Sequence, residues 1–209
     1  MSLPPLATAA DLASALQRTL DPVQAELAIR RASARVRKYC RQDLTFTQAD
    51  TVTIPGGSRI LRLPQRPLVV DASNPLTVTE LFGITGVQYI AIEGRDFTRL
   101  GNNLTRGQAW WAQTRLMGWP WLRPQGAWAE RVQVTYSHGY QVIPDDITDV
   151  VLDLAAMNLT NPQALRQESI DDYSRTFAAE TIGSAALTAA HKEDLRPYRG
   201  AAFTVVPIT

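Results

Sequence analysis

Two histidines, His138 and His191, and one cysteine, Cys40, are the chain's only imidazole and thiol side chains. His138 lies in "VTYSHGYQVIPDDI", shortly before the adjacent acids Asp145 and Asp146. An imidazole beside two carboxylates is what a metal site or an acid–base pair would need. The spacing argues for a plainer reading. No HxH, HxxxH or CxxC arrangement supplies a second ligand. Val132, Val134 and Tyr136 alternate with Gln133, Thr135 and Ser137, the period of a strand, and Gly139 is a natural strand end. Pro144 suits the first turn of a helix, where its missing N–H is not needed. Asp145 and Asp146 then meet the positive end of that helix dipole, each gaining about 0.3–1 kcal/mol. Both acids are accounted for without catalysis. GxSxG, P-loop and GxGxxG patterns are absent, and Cys40 reads as packed at a helix end. No catalytic, metal-binding or cofactor-binding residue is therefore expected.

Three other constellations could carry function. Trp110, Trp111, Trp119, Trp121 and Trp128 crowd into "WWAQTRLMGWPWLRPQGAW", with Arg115 and Arg123 interleaved. Such rings form a stacking platform for sugars or bases, or pack a core or a subunit interface, where Trp and Arg are enriched. Gly118, Pro120, Pro124 and Gly126 mark the stretch as a loop. A basic run follows from Arg30, Arg31, Arg35, Arg37, Lys38 and Arg41, with no acid between residues 27 and 42. On a helix, Arg30, Arg37 and Arg41 can share one face and Arg31, Arg35 and Lys38 another. That suits phosphate contact, a solvated face, or a face paired to acids of a neighbouring chain. "QESIDDYS" offers Glu168, Asp171 and Asp172, beside Tyr173, as such a partner in a head-to-tail contact. Finally, "AAFTVVPIT" closes the chain with Phe203, Val205, Val206 and Ile208. It is a frayed end, or an apolar segment that docks on another protein.

The elements that must position these residues follow from pattern. "TAAD" is a capping box opening a helix with Leu12, Ala15, Leu16 and Leu20 on one stripe. Asp21-Pro22 starts a second helix that runs to about Cys40, with Ala25, Ile29, Ala32, Val36, Tyr39 and Cys40 inward. From 45 to 140 the pattern is β-branched and turn-rich, with five or six short strands at the spacing of a small barrel or sandwich. Helical period returns with Ile147, Val150, Val151, Leu154 and Asn158. Residues 161–187 read as polar and irregular. Thr188 caps a last short helix. The expected fold is α+β: a helical-bundle core from both chain ends (1–44 and 141–200), a β-rich insertion (45–140) carrying the Trp-rich loop, and an extended tail (201–209).

Composition limits the classes. The 209 residues carry 45% hydrophobic and 20% charged side chains with a net charge of +1. That is globular rather than disordered, and too nearly neutral for bulk attraction to nucleic acid or anionic membrane. One cysteine excludes an internal disulfide and fits a reducing cytoplasm. No signal peptide and no membrane-length apolar run is seen, so a product soluble in the cytosol is expected, unless it leaves as part of a larger particle.

The order of these pieces resembles the head–tail connector (adaptor) proteins of tailed phages. The resemblance runs over about residues 6–200: the N-terminal helix pair, "LPQRPL", "TYSHGY" before a proline and a helix, "ESIDDYS", and "LTAAHKEDLRPYR". It implies a helical bundle with an inserted β-element, no catalysis and no cofactor. It also implies a homo-oligomeric ring, usually of twelve, under the portal protein in the virion neck, assembled in the host cytoplasm. Such a ring extends the DNA channel without sequence-specific binding and docks a stopper or tail-completion protein. On that reading residues 30–38 and 168–173 carry subunit contacts and the C-terminal segment docks on the portal. The Trp-rich loop has no counterpart in the resemblance. The other reading is a binding module using that loop for carbohydrate or single-stranded nucleic acid.

Overall fold

The computed structural model describes residues 3–83, 87–107, 126–160, 167–170, 173–176 and 186–200, with backbone alone between 167 and 176. The chain divides into two compact units, one from Met1–Thr45 and Gln141–Arg199, the other around Phe46–Tyr140.

In the first unit, α1 (Ala9–Leu16) opens on a capping box. The Asp11 N–H donates to Thr8 Oγ1 at 3.2 Å, and the Thr8 N–H to Asp11 Oδ2 at 3.1 Å. Helix α2 (Pro22–Cys40) has Asp21 as N-cap, proline in its first turn and Arg41 in the left-handed conformation at its end. It buries Ala25, Ala28, Ile29, Ala32, Ser33, Val36 and Cys40. Helix α3 (Asp145–Thr160) buries Ile147, Val150, Val151, Leu154 and Ala155, and α2 against α3 is the main packing of the unit. Helix α4 (Ala189–Asp194) is capped by Thr188 and followed by a 3-10 turn, Arg196–Tyr198.

The second unit is antiparallel sheet. A five-stranded sheet contains β1 (Thr47–Pro55), β3 (Leu68–Val69), β4 (Thr77–Phe82), β5 (Val87–Ala91) and β8 (Arg131–His138). Strand β8 is central: Val134 faces Val52 of β1 on one side and Val78 of β4 on the other. A three-stranded sheet orders β2 (Ile60–Arg62), β7 (Asn103–Arg106) and β6 (Phe97–Leu100). Both sheets supply one core: Ile54, Val78, Val132, Val134 and Tyr136 from the first, Leu61, Leu104 and Phe97 from the second, with Trp128 between strands in sequence.

The expected helical-bundle core does not form. Among the described residues, eight strands in two antiparallel sheets make up the second unit and a further two-stranded pair brings the total to ten, against four α-helices. The helical periods are present and α2 packs on α3, but α1 and α4 add little buried surface to that pair. Helix α1 buries only Leu12, α4 only His191, and α2 chiefly alanines and a serine. Small stripes permit one close helix pair, whereas the bulky apolar side chains Tyr136, Phe97 and Trp128 lie between the sheets. The expected five or six strands are eight, because β2 and β3 have three and two residues and leave almost no period to read. The expected irregular 161–187 stretch contains an antiparallel pair, β9 (Gln167–Ile170) and β10 (Tyr173–Thr176).

Candidate functional site

His138 ends β8 and is 1% exposed. Its Nε2 lies 3.2 Å from Asp50 Oδ2 and its ring 5.2 Å from that of Tyr136. Asp145 and Asp146 sit in the first turn of α3, where Asp146 Oδ2 accepts from the Tyr198 hydroxyl at 3.1 Å. The histidine and the paired acids thus have separate partners. His191 completes the cap of α4, and Cys40 is buried. Among the described residues no group of three His, Cys, Asp or Glu side chains could hold a metal ion.

The basic run of α2 does not split into the two faces expected. Arg30, Arg31 and Lys38 are exposed and fall, with Val23, Leu27 and Ala34, on one solvent-facing stripe opposite the buried one, and Arg41 is exposed at the left-handed end of the helix. Arg37 serves its own unit instead. Its Nε donates to the Asp43 carbonyl at 2.8 Å and its Nη2 to the Pro4 carbonyl, tying the N-terminal segment to the end of α2. Arg35 is half-buried. Glu168 and Tyr173 lie in β9 and β10, and their side chains are outside the described residues, as are Asp171 and Asp172. Phe203, Val205, Val206 and Ile208 are outside them too, with Trp110, Trp111, Trp119, Trp121, Arg115 and Arg123.

Trp128 belongs to the core. It is 2% exposed, donates Nε1–H to the Leu104 carbonyl at 3.1 Å and packs 5.6 Å from Phe97. Beside it, 5.4 Å from the ring, lies the guanidinium of Arg106. Arg106 is 0% exposed, with Nε 3.0 Å from Glu80 Oε1 and Nη1 3.8 Å from Asp96 Oδ1. Glu80 Oε2 accepts from the Ala129 N–H at 3.1 Å. Asp96 Oδ2 accepts from Tyr89 (2.9 Å), the Ile92 N–H (2.9 Å) and Arg95 (3.0 Å). Burial pushes the Asp96 carboxyl up, but the hydrogen bonds from Arg95, Ile92 and Tyr89 and the Arg95 charge outweigh it and hold it below the ordinary value.

This network grips both roots of residues 108–125. Arg106 precedes that segment, and its N–H donates to the Arg59 carbonyl at 2.8 Å. Trp128 follows it and donates its N–H to Ser58 at 3.0 Å. Gly56 makes the close approach possible, since a Cβ there would lie 1.8 Å from the Ala129 carbonyl oxygen. An arginine with no exposure cannot meet a ligand, so the network's work is positional. Its sequence signal is a charge at an inward position of a strand: Arg106 two residues after Leu104, Glu80 two after Val78. A second missed feature is the acidic face of α3, where Asp149 and Asp153 extend Asp145 at four-residue spacing.

No family model matches the chain, and no curated protein matches it either.

Proposed function

We propose that this protein is a structural connector of a tailed-phage neck, which acts by assembling as a ring beneath the portal rather than by chemistry. The observation that carries the proposal is the outward stripe of α2. Three cations, Arg30, Arg31 and Lys38, stand on one helix beside exposed Val23 and Leu27, and a fourth, Arg41, is exposed at its end. A nearly neutral protein that concentrates like charge on one ordered face gains from a partner that supplies the opposite charge. The order of sequence pieces shared with head–tail connectors supports the same reading, although their helical-bundle core is not found here. In the proposed ring, expected as twelve copies, many weak contacts sum to a stable joint. The lumen continues the DNA channel and the lower face receives the stopper or tail protein. Co-expression with the portal tests this: the chain copurifies with the portal ring, and electron micrographs show added density beneath it. A portal that purifies bare overturns the proposal.

A second reading is favoured by composition, because the segment that joins the anchored Arg106 to the anchored Trp128 is rich in Trp and Arg. That reading makes the protein a module for carbohydrate or single-stranded nucleic acid. A defined hit on a glycan array, or a salt-steep DNA affinity without portal binding, would favour it.

A further inference from the structure

We infer that the outward stripe of α2 in one copy seats on the acidic face of α3 and α4 in the next. The inference rests on the ring reading and names the contact that builds the ring. The stripe runs Val23, Leu27, Arg30, Arg31, Ala34, Lys38 and, at the end of the helix, Arg41, all exposed, with Val23 at 74% and Leu27 at 45%. No side chain of its four cations makes a hydrogen bond or ion pair among the described residues.

The same unit carries the complement. Asp145, Asp149 and Asp153 recur every four residues along the exposed face of α3, with Asp146 beside them, and α4 adds exposed Asp194 next to exposed Glu193 and Lys192. Asp146, Asp149, Asp153 and Asp194 line an open cleft of about 350 Å³, together with Val150 and His191. Tyr198 satisfies Asp146, and His191 Nε2 stands 3.6 Å from Asp153. No cation among the described residues lies within ion-pair distance of Asp149 or Asp194.

The occupant follows from the two faces together. Nucleic acid or free phosphate matches α2 but is repelled by α3 and α4, and a cationic partner does the reverse. A second copy satisfies both. It must dock head-to-tail, because a two-fold contact of α2 on α2 sets cation against cation, and head-to-tail contacts are the kind that close rings. The acids are then those of α3 and α4 rather than Glu168, Asp171 and Asp172. The contact is small. A helix of this length is roughly 28 Å long and about 10 Å wide. That gives about 300 Å² a side, well below the roughly 800 Å² of a stable pair. The isolated contact is therefore weak and salt-sensitive, and ring closure supplies the rest.

Lys38 makes the contact testable, since Lys38 and Lys192 are the only lysines in the chain. Equal amounts of the full-length protein, one sample labelled with nitrogen-15, are mixed at high concentration and low ionic strength. A zero-length carbodiimide then joins amines to carboxylates already in contact, and mixed-isotope peptides identify links between copies. The expected product joins Lys38 to Asp149, Asp153 or Asp194 of the other copy. Its yield falls by roughly tenfold at high salt and in Arg30→Glu/Arg31→Glu. Absence of mixed-isotope links from Lys38, or links to residues 168–172 instead, overturns the inference. Portal copurification decides the ring reading separately: a portal-bound ring lacking the Lys38 link sinks this contact alone. A Lys38 link without portal binding sinks the connector and keeps the contact.

Discussion

The two units use charge in opposite ways. Around β4, β6 and β7, Arg106, Glu80 and Asp96 are buried, and each is held by an opposite charge or hydrogen bonds. Along α2, Arg30, Arg31, Lys38 and Arg41 are exposed and face water. A buried charge that loses its partner keeps its desolvation cost, whereas an exposed charge loses almost nothing. Charge in the sheet unit therefore holds the fold, and charge on the helix is free to meet another molecule. Substitutions in the two places should separate cleanly into those that unfold and those that only disassemble.

The largest effect is expected at Arg106. Arg106→Met leaves Glu80 and Asp96 buried without it and should cost about 3–5 kcal/mol in denaturant unfolding. Adding Glu80→Gln removes one stranded charge while keeping an acceptor for the Ala129 N–H, and should recover a substantial part of that loss. If the double variant is as unstable as the single, Arg106 acts by packing and the contrast with α2 fails. Asp96 adds a pH signature. A carboxyl held below its ordinary value contributes stability that is complete above its unfolded pKa, about 3.9, and lost as pH falls through the folded one. Stability should decline over that acid range, and the decline should be shallower in Asp96→Asn. An identical acid limb in that variant would place the sensitivity elsewhere.

Gly56 comes next. Its hypothetical Cβ, 1.8 Å from the Ala129 carbonyl oxygen, forces the β1 end away from the strand entering β8. Gly56→Ala should cost about 1–3 kcal/mol by overpacking. Comparing it with Arg106→Met asks whether the roots of residues 108–125 are held by shape as well as by charge. Protease cleavage within that segment should rise in both variants, and unchanged cleavage in both would detach the network from it.

What could be read in advance divides along the same line. The caps at Thr8, Asp21 and Thr188 are local, and each helix starts where its side chain meets the first free N–H groups. The inward face of β8 was legible from two-residue alternation. Helical period is not by itself helical core: α1 and α4 have the period but bury only Leu12 and His191. The faces of the basic helix are not legible from period alone, because nothing local announces that Arg37 reaches Pro4 and Asp43. The buried network was hidden for a related reason. Arg106 and Glu80 lie in strands adjacent to neither in sequence, and only pairing through the fold makes each a reason for the other.

The smallest effect on stability, and the sharpest test of the comparison, belongs to Arg30→Glu/Arg31→Glu. Both positions lie more than two turns from either end of α2, too far for the helix dipole to matter. Neither has a partner among the described residues, so no buried group is stranded when the charge reverses. Relief of repulsion from Lys38 is slight, because seven helical residues separate it from Arg31 by about 10 Å, roughly one Debye length in ordinary buffer. The unfolding free energy should therefore stay within about 0.5 kcal/mol of the parent while the yield of the mixed-isotope link from Lys38 falls by roughly tenfold. A loss of about 2 kcal/mol or more would make these arginines part of the fold, and the division between a sheet unit that spends charge internally and a helix that presents it outward would no longer hold.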